Sequence, residues 1–113
     1  MNELEELVQK IYQFRDDRNW QQFHNPKDLA LSLSLEASEL LELFQWKTSE
    51  EAVEKNLDKM KDELADVLMY AIFFANEAGI DLTDAIKNKL ELNNRKYPKE
   101  QFKNSSKKYN EIE

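Results

Sequence analysis

Leu4, Leu7, Val8, Ile11 and Phe14 recur at three- and four-residue intervals, the period of one face of a helix. The spacing predicts a first helix over residues 2–18. It opens at Asn2, with Glu5 three residues on, so that each side chain can satisfy the other's backbone N–H. Residues 19–25 break the period and predict a loop that carries Trp20, Phe23 and His24. Asn25-Pro26 then starts a second helix, Asn as cap and Pro at the first helical position. The stretch from Leu29 to Leu35 alternates in a strand-like way, but helix formers continue through Phe44 with no turn signal, and no second strand is present to pair with it. A helix apolar around so much of its circumference is expected to be central.

Thr48, with Glu51 three residues on, predicts the cap of a third helical region from about residue 50 to 78, with a break near Asn56. Gly79 is its natural C-cap. Asp81 or Thr83 can start a fourth helix, which ends before Pro98, and the tail over 99–113 is polar without a sustained period. The fold class is therefore all-α: about four helices in a bundle-like protomer, with short connections that favour antiparallel neighbours. Residues 1–98 are expected to form a single helical domain, and 99–113 a polar C-terminal tail.

Against this pattern four acids are out of place. Wound at about 100° per residue, Glu36 and Glu39 fall among Leu29, Leu33, Leu40 and Leu43. Glu63 and Asp66 fall beside Met60, Val67, Tyr70 and Phe74. An ionised carboxylate on an apolar face needs a cation or hydrogen-bond donors, or it takes up a proton. Each pair is spaced i, i+3, which puts Cβ atoms about 5–6 Å apart on one helix face. If the two helices run antiparallel, the pairs face each other and form a cluster of hard oxygen ligands suited to Mg2+.

Composition narrows the chemistry. The 113 residues suffice for one domain with one core. One glycine and two prolines favour long uninterrupted helices, and the lack of cysteine excludes disulfides, thiolate metal sites and a cysteine nucleophile. A di-iron bundle wants Glu-x-x-His on two helices, whereas the only histidine, His24, lies in a loop. There is no glycine-rich phosphate cradle. A net charge of −7 argues against a nucleic-acid polymer as partner, yet leaves room for a small triphosphate bridged to the acids by metal. No apolar run reaches membrane-span length and the acidic amino terminus is unlike a signal peptide, so a cytoplasmic setting is expected.

Each candidate has a structural alternative. A single acid of the four is more often a rim residue or salt-bridge partner. Tyr70 can hydrogen-bond a site carboxylate or simply fill the core, and His24 suits a polar loop. Trp20, Phe23 and Trp46 can stack on a base or close the end of a core. Lys89, Arg95 and Lys96 suit phosphate, or form a solvated helix face.

Taken together these residues resemble a known family. Leu35-Glu36-Ala37-Ser38-Glu39-Leu40 and Asp62-Glu63-Leu64-Ala65-Asp66-Val67 look like the paired Glu-x-x-Glu and Glu-x-x-Asp signature of MazG-like nucleoside triphosphate pyrophosphohydrolases, within the all-α NTP pyrophosphatase superfamily. Arg18-Asn19-Trp20-Gln21-Gln22-Phe23-His24 and Leu43-Phe44-Gln45-Trp46 resemble the loops of its small dCTP pyrophosphatase branch. Lys89, Asn93, Arg95-Lys96-Tyr97-Pro98 and the tail Ser105-Ser106-Lys107-Lys108-Tyr109 match that branch as well.

The resemblance implies Glu36, Glu39, Glu63 and Asp66 as ligands of Mg2+, with Mn2+ as a substitute, one of them activating water. Attack at the α-phosphorus would give nucleoside monophosphate and pyrophosphate. It implies that Trp20, Phe23, His24, Trp46 and Tyr70 line a nucleoside pocket. Lys89, Asn93, Arg95 and Lys96 would meet sugar or phosphates, and Lys108 and Tyr109 would close the site from the tail. It further implies a pyrimidine deoxynucleotide such as dCTP, a house-cleaning role in nucleotide pools, and a homodimer or dimer of dimers with sites at subunit contacts. The alternative from another class is a non-catalytic helical dimer that binds a nucleotide or a protein partner.

Overall fold

In the computed structural model, which describes residues 1–104, all regular structure is helical. Helix α1 spans Glu3–Asp17, α2 Pro26–Glu42, α3 Ser49–Ala78, α4 Leu82–Lys96 and α5 Lys99–Phe102, with a 3-10 turn over Trp20–Phe23. No helix among the described residues is long and apolar enough to cross a membrane.

The helices begin where short polar side chains cap them. Asn2 Oδ1 accepts from the Glu5 N–H at 2.8 Å while Glu5 Oε2 accepts from the Asn2 N–H at 3.2 Å. Asn25, Thr48 and Asp81 likewise accept from the N–H three residues on. Each such cap contributes about 1 kcal/mol by satisfying an orphan donor. Asn19 ends the first helical stretch in the left-handed region (φ 53°), which Asn tolerates better than most residues. Gly79, at φ 69°, ends α3 in the same way.

Two boundaries differ from the sequence reading. Helix α2 stops at Glu42, because bonds from Phe44 to Leu41, Gln45 to Glu42 and Lys47 to Phe44 tighten the chain into successive turns. The stretch after Pro98, expected only to be polar and without a sustained period, begins with the short helix α5, where the Phe102 ring meets Tyr97 edge-on at 4.9 Å. The expected break in α3 is present: Asn56 takes φ −119° and ψ 17°.

Met1–Gly79 forms one compact unit, and a second begins at Ile80. In the first, α2 packs along α3. Leu43 meets Asn56, the acids of α2 meet Glu63, and His24 meets Phe73. Numbers fall on one side as they rise on the other, so the two helices are antiparallel. Leu29, Ala52, Met60, Phe73 and Ala75 are the buried apolar residues.

Within the compact unit Met1–Gly79, the apolar content of α2 is not all buried. Leu31, Leu35 and Leu41 are exposed, and on α3 Val53, Leu57, Leu64 and Leu68 form a second exposed stripe at helical spacing. A shallow groove of about 450 Å³ at the end of α2 is lined by Ser38, Leu41, Glu42, Phe44 and Gln45, and by neither Glu36 nor Glu39.

Candidate active site

The antiparallel pairing of α2 and α3 brings acids from both helices together. Glu36, Glu39 and Glu63 each place a carboxylate oxygen within 4.8 Å of the others. Asp66 is half-buried one turn beyond Glu63; it is not among these three, although its charge acts on both Glu36 and Glu63.

Electrostatics marks the cluster as incomplete. Glu36 Oε2 and Glu63 Oε2 are buried with no hydrogen-bond partner. Burial first, then a hydrogen bond with Glu39 and the charges of Glu39, Asp66 and Glu63, pushes the Glu36 carboxyl up to about 7. The Glu63 carboxyl is also raised, by burial and then by Glu39. Two buried carboxylate oxygens without partners, in an all-carboxylate set without histidine, fit a hard divalent cation such as Mg2+ or Mn2+ better than zinc or iron.

An aromatic row leads away from the acids. Burial, then the charges of Glu36, Asp66 and Glu39, raises the Tyr70 hydroxyl above its ordinary value, which places the phenol in the field of the cluster. The Tyr70 ring meets Phe73 edge-on at 6.1 Å, and Phe73 meets the His24 ring at 4.9 Å. Among the expected pocket residues, then, Tyr70 and His24 are joined through Phe73.

The other aromatics do not join that row. Trp20 packs on Phe14 at 5.6 Å, with the Arg18 guanidinium 3.8 Å above Phe14. Phe23 is exposed, and Trp46 is 91% exposed on a backbone held at φ 62°. A bulky residue at positive φ is uncommon and costs backbone strain. Lys89, Asn93, Arg95 and Lys96 lie on α4 in the second unit. Lys108 and Tyr109 lie outside the described residues.

Sequence reasoning missed Phe73, Arg15 and Asn76. The signal for Phe73 was present: Glu63, Asp66, Tyr70 and Phe73 follow one helical stripe. Arg15 and Asn76 are 61 residues apart, and no local pattern links them.

Residues 31–112 match the MazG-like family. The chain belongs to that family. It is 38% identical to human dCTP pyrophosphatase 1 over 96% of this chain and 67% of that protein. The bovine dCTP pyrophosphatase 1 is 35% identical over 96% of this chain and 68% of the relative. The fold resembles the crystal structure of a pyrophosphatase from Archaeoglobus fulgidus, with a TM-score of 0.80 and 43% identity, covering 87% of this chain and 94% of the other. The matched span of this MazG-like chain contains all four acids, Tyr70 and Phe73, whereas Arg15, Trp20 and His24 precede it.

Proposed function

We propose that the chain is a nucleoside triphosphate pyrophosphohydrolase that converts a (d)NTP and water to (d)NMP and pyrophosphate, acting on pyrimidine deoxynucleotides such as dCTP to keep nucleotide pools clean in the cytoplasm. The observation that carries this reading is the cluster of Glu36, Glu39 and Glu63, with its two buried, unpartnered oxygens, in a chain of the MazG-like family. The similarity to the dCTP pyrophosphatases supports the substrate class.

Glu36, Glu39, Glu63 and Asp66 are the proposed holders of Mg2+ or Mn2+. The bound ion would polarise phosphoryl oxygens and lower the pKa of water at the site. A carboxylate oxygen left off the ion orients that water and accepts its proton. The water oxygen bonds to the α-phosphorus as the bond to the pyrophosphate oxygen breaks. Tyr70 is the proposed donor of a hydrogen bond to a neighbouring carboxylate; its raised pKa keeps the proton on the phenol.

Trp20, Phe23, His24 and Trp46 are the proposed contacts for the nucleoside. Lys89, Asn93, Arg95 and Lys96, with Lys108 and Tyr109 of the tail 99–113, are the proposed ligands for sugar and phosphates. Residues 1–98 are proposed to work as one catalytic domain.

The exposed leucines support a homodimer or a dimer of dimers. Leu31, Leu35, Leu41, Val53, Leu57, Leu64 and Leu68 are each roughly half exposed or more. Covering each would contribute on the order of 1 kcal/mol, so ~14 kcal/mol for a symmetric pair of protomers. That is comparable with the ~4–15 kcal/mol lost on association. Both copies must therefore contribute their stripes, as an isologous contact does.

Purified protein incubated with a panel of (d)NTPs and Mg2+, scored for pyrophosphate, tests the reading. Turnover of a pyrimidine deoxynucleoside triphosphate supports it. Folded protein that binds nucleotide and turns none over would instead be the non-catalytic dimer.

A further inference from the structure

Arg15 is the one buried charged side chain among the described residues, 4% exposed, and it takes no part in the acid cluster. Its Nε donates to Asp16 Oδ1 at 2.9 Å and its Nη1 donates to Asn76 Oδ1 at 2.9 Å. The guanidinium lies 5.0 Å from the Tyr12 ring centroid and 5.9 Å from that of Phe73. His24 packs on the same Phe73 ring, and its Nδ1 is buried with no hydrogen-bond partner.

A guanidinium fixed from both ends and taken out of water is costly to keep, and a salt bridge to Asp16 alone could be made at the surface. What burial adds is a rigid positive charge beside an imidazole. A proton on Nδ1 would create a buried donor with no acceptor, in the field of that charge. A lone pair on Nδ1 is equally without a partner, but the field of the guanidinium favours it over an N–H there, so the ring proton belongs on Nε2.

We propose that Arg15 is a positioning residue that, from its packed place on Phe73, holds His24 as an uncharged ring with its proton on Nε2. His24 then offers a nucleotide a hydrogen-bond donor, suited to a nucleobase carbonyl, and not a positive charge suited to phosphate. The nucleotide part rests on the reading that His24 contacts the nucleoside; the state of the ring does not. The charged groups acting on His24 are Arg15 from α1 and Glu77 from α3, the latter engaged by Gln21 Nε2 at 3.4 Å. Burial and then Arg15 lower the His24 pKa from its ordinary value, with Glu77 opposing.

His24 is the only histidine in the sequence, so a long-range ¹H–¹⁵N spectrum of the full chain, free of nucleotide, reads one imidazole. The wild type should show the Nε2–H tautomer and a midpoint below the ordinary value of 6.5. In Arg15→Gln the midpoint should rise by roughly half a unit or more, while Arg15→Lys, which keeps the charge, should restore most of the shift. If Arg15→Gln does not fold by circular dichroism, Asn76→Ala, which frees one end of the guanidinium, should move the midpoint in the same direction. A wild-type Nδ1–H tautomer, a wild-type midpoint at or above 6.5, or an unmoved midpoint in the folded variant overturns the proposal. In turnover, the ratio of KM for Arg15→Gln to that for wild type should change between pH 8 and pH 6, where the two proteins differ in the charge of His24, while the kcat ratio stays flat. A KM ratio independent of pH overturns the link to the nucleotide. Absence of turnover in every protein is a failure of the functional reading alone, and the spectra still decide the state of His24.

Discussion

Asn56 donates its side-chain amide to the carbonyl of Leu43 at 3.0 Å, tying the kink in α3 to the end of α2. The carbonyl is one of those a helix C-terminus leaves without an intrahelical partner. The turns that follow it carry Trp46, with its left-handed backbone. Asn56→Ala should therefore destabilise the protein by about 1–2 kcal/mol. It should also change the emission of Trp46 before global unfolding, as urea melts followed by fluorescence and by circular dichroism would show. Coincident, unshifted melts would mean that the bond does not hold the turn.

The raised carboxyls set a pH dependence. The folded chain holds a proton on Glu36 up to about 7, whereas the unfolded chain releases it near the ordinary value of 4.5. Between those values the native state binds more protons than the unfolded state, so stability is greatest below the window and falls as pH rises through it. For Glu36, which solvent still screens, the loss is on the order of 1 kcal/mol. In EDTA, Tm should drop by about 4 °C or more between pH 5.5 and pH 8. Added Mg2+ should raise Tm at pH 8 more than at pH 5.5, because the ion competes with the proton. Glu36→Gln should flatten the profile in EDTA.

Glu63→Gln should abolish turnover and leave the fold intact. The substitution keeps the shape and removes one negative charge from a crowded set, so Tm in EDTA should stay level or rise. Loss of even an outer partner of a metal site costs about 10–100-fold, and a direct ligand should cost at least the upper figure in kcat. Full turnover by the mutant would remove this carboxylate from the proposed metal site.

Trp46→Ala separates binding from folding. A side chain 91% exposed contributes little to the stability of the protomer. Stacking on a base is worth about 1–3 kcal/mol, so KM should rise roughly tenfold while Mg2+ affinity barely changes. The reverse pattern would count against the stacking role.

The exposed stripe on α3 is tested by charge. Wild type should have the molar mass of the proposed homodimer or dimer of dimers in light scattering, and Leu57→Lys with Leu64→Lys should lower it towards that of one protomer, with helical content retained. A molar mass unchanged by the substitutions would count against this stripe as a subunit contact.

The helix starts were legible in the sequence because Asn2, Asn25, Thr48 and Asp81 act on N–H groups only three residues away. The acid pairs were legible for the same reason: an i, i+3 spacing fixes neighbours on one helix without knowledge of the fold. That the oxygens of Glu36, Glu39 and Glu63 come within 4.8 Å of one another, with Asp66 acting on them through its charge, was not legible, since it depends on the register of α2 against α3. The end of α2 was misjudged because leucines persist past Glu42, and the bond that helps to end the helix comes from Asn56, thirteen residues later. The Arg15–Asn76 bond is further still from any local rule.

Hydrolysis in H₂¹⁸O, with the products separated and weighed, addresses the central claim most directly: that these carboxylates direct water to the α-phosphorus of a nucleotide. The account predicts one labelled oxygen in the nucleoside monophosphate and none in the pyrophosphate, in the presence of Mg2+. Label in the pyrophosphate, or release of orthophosphate in its place, would contradict it.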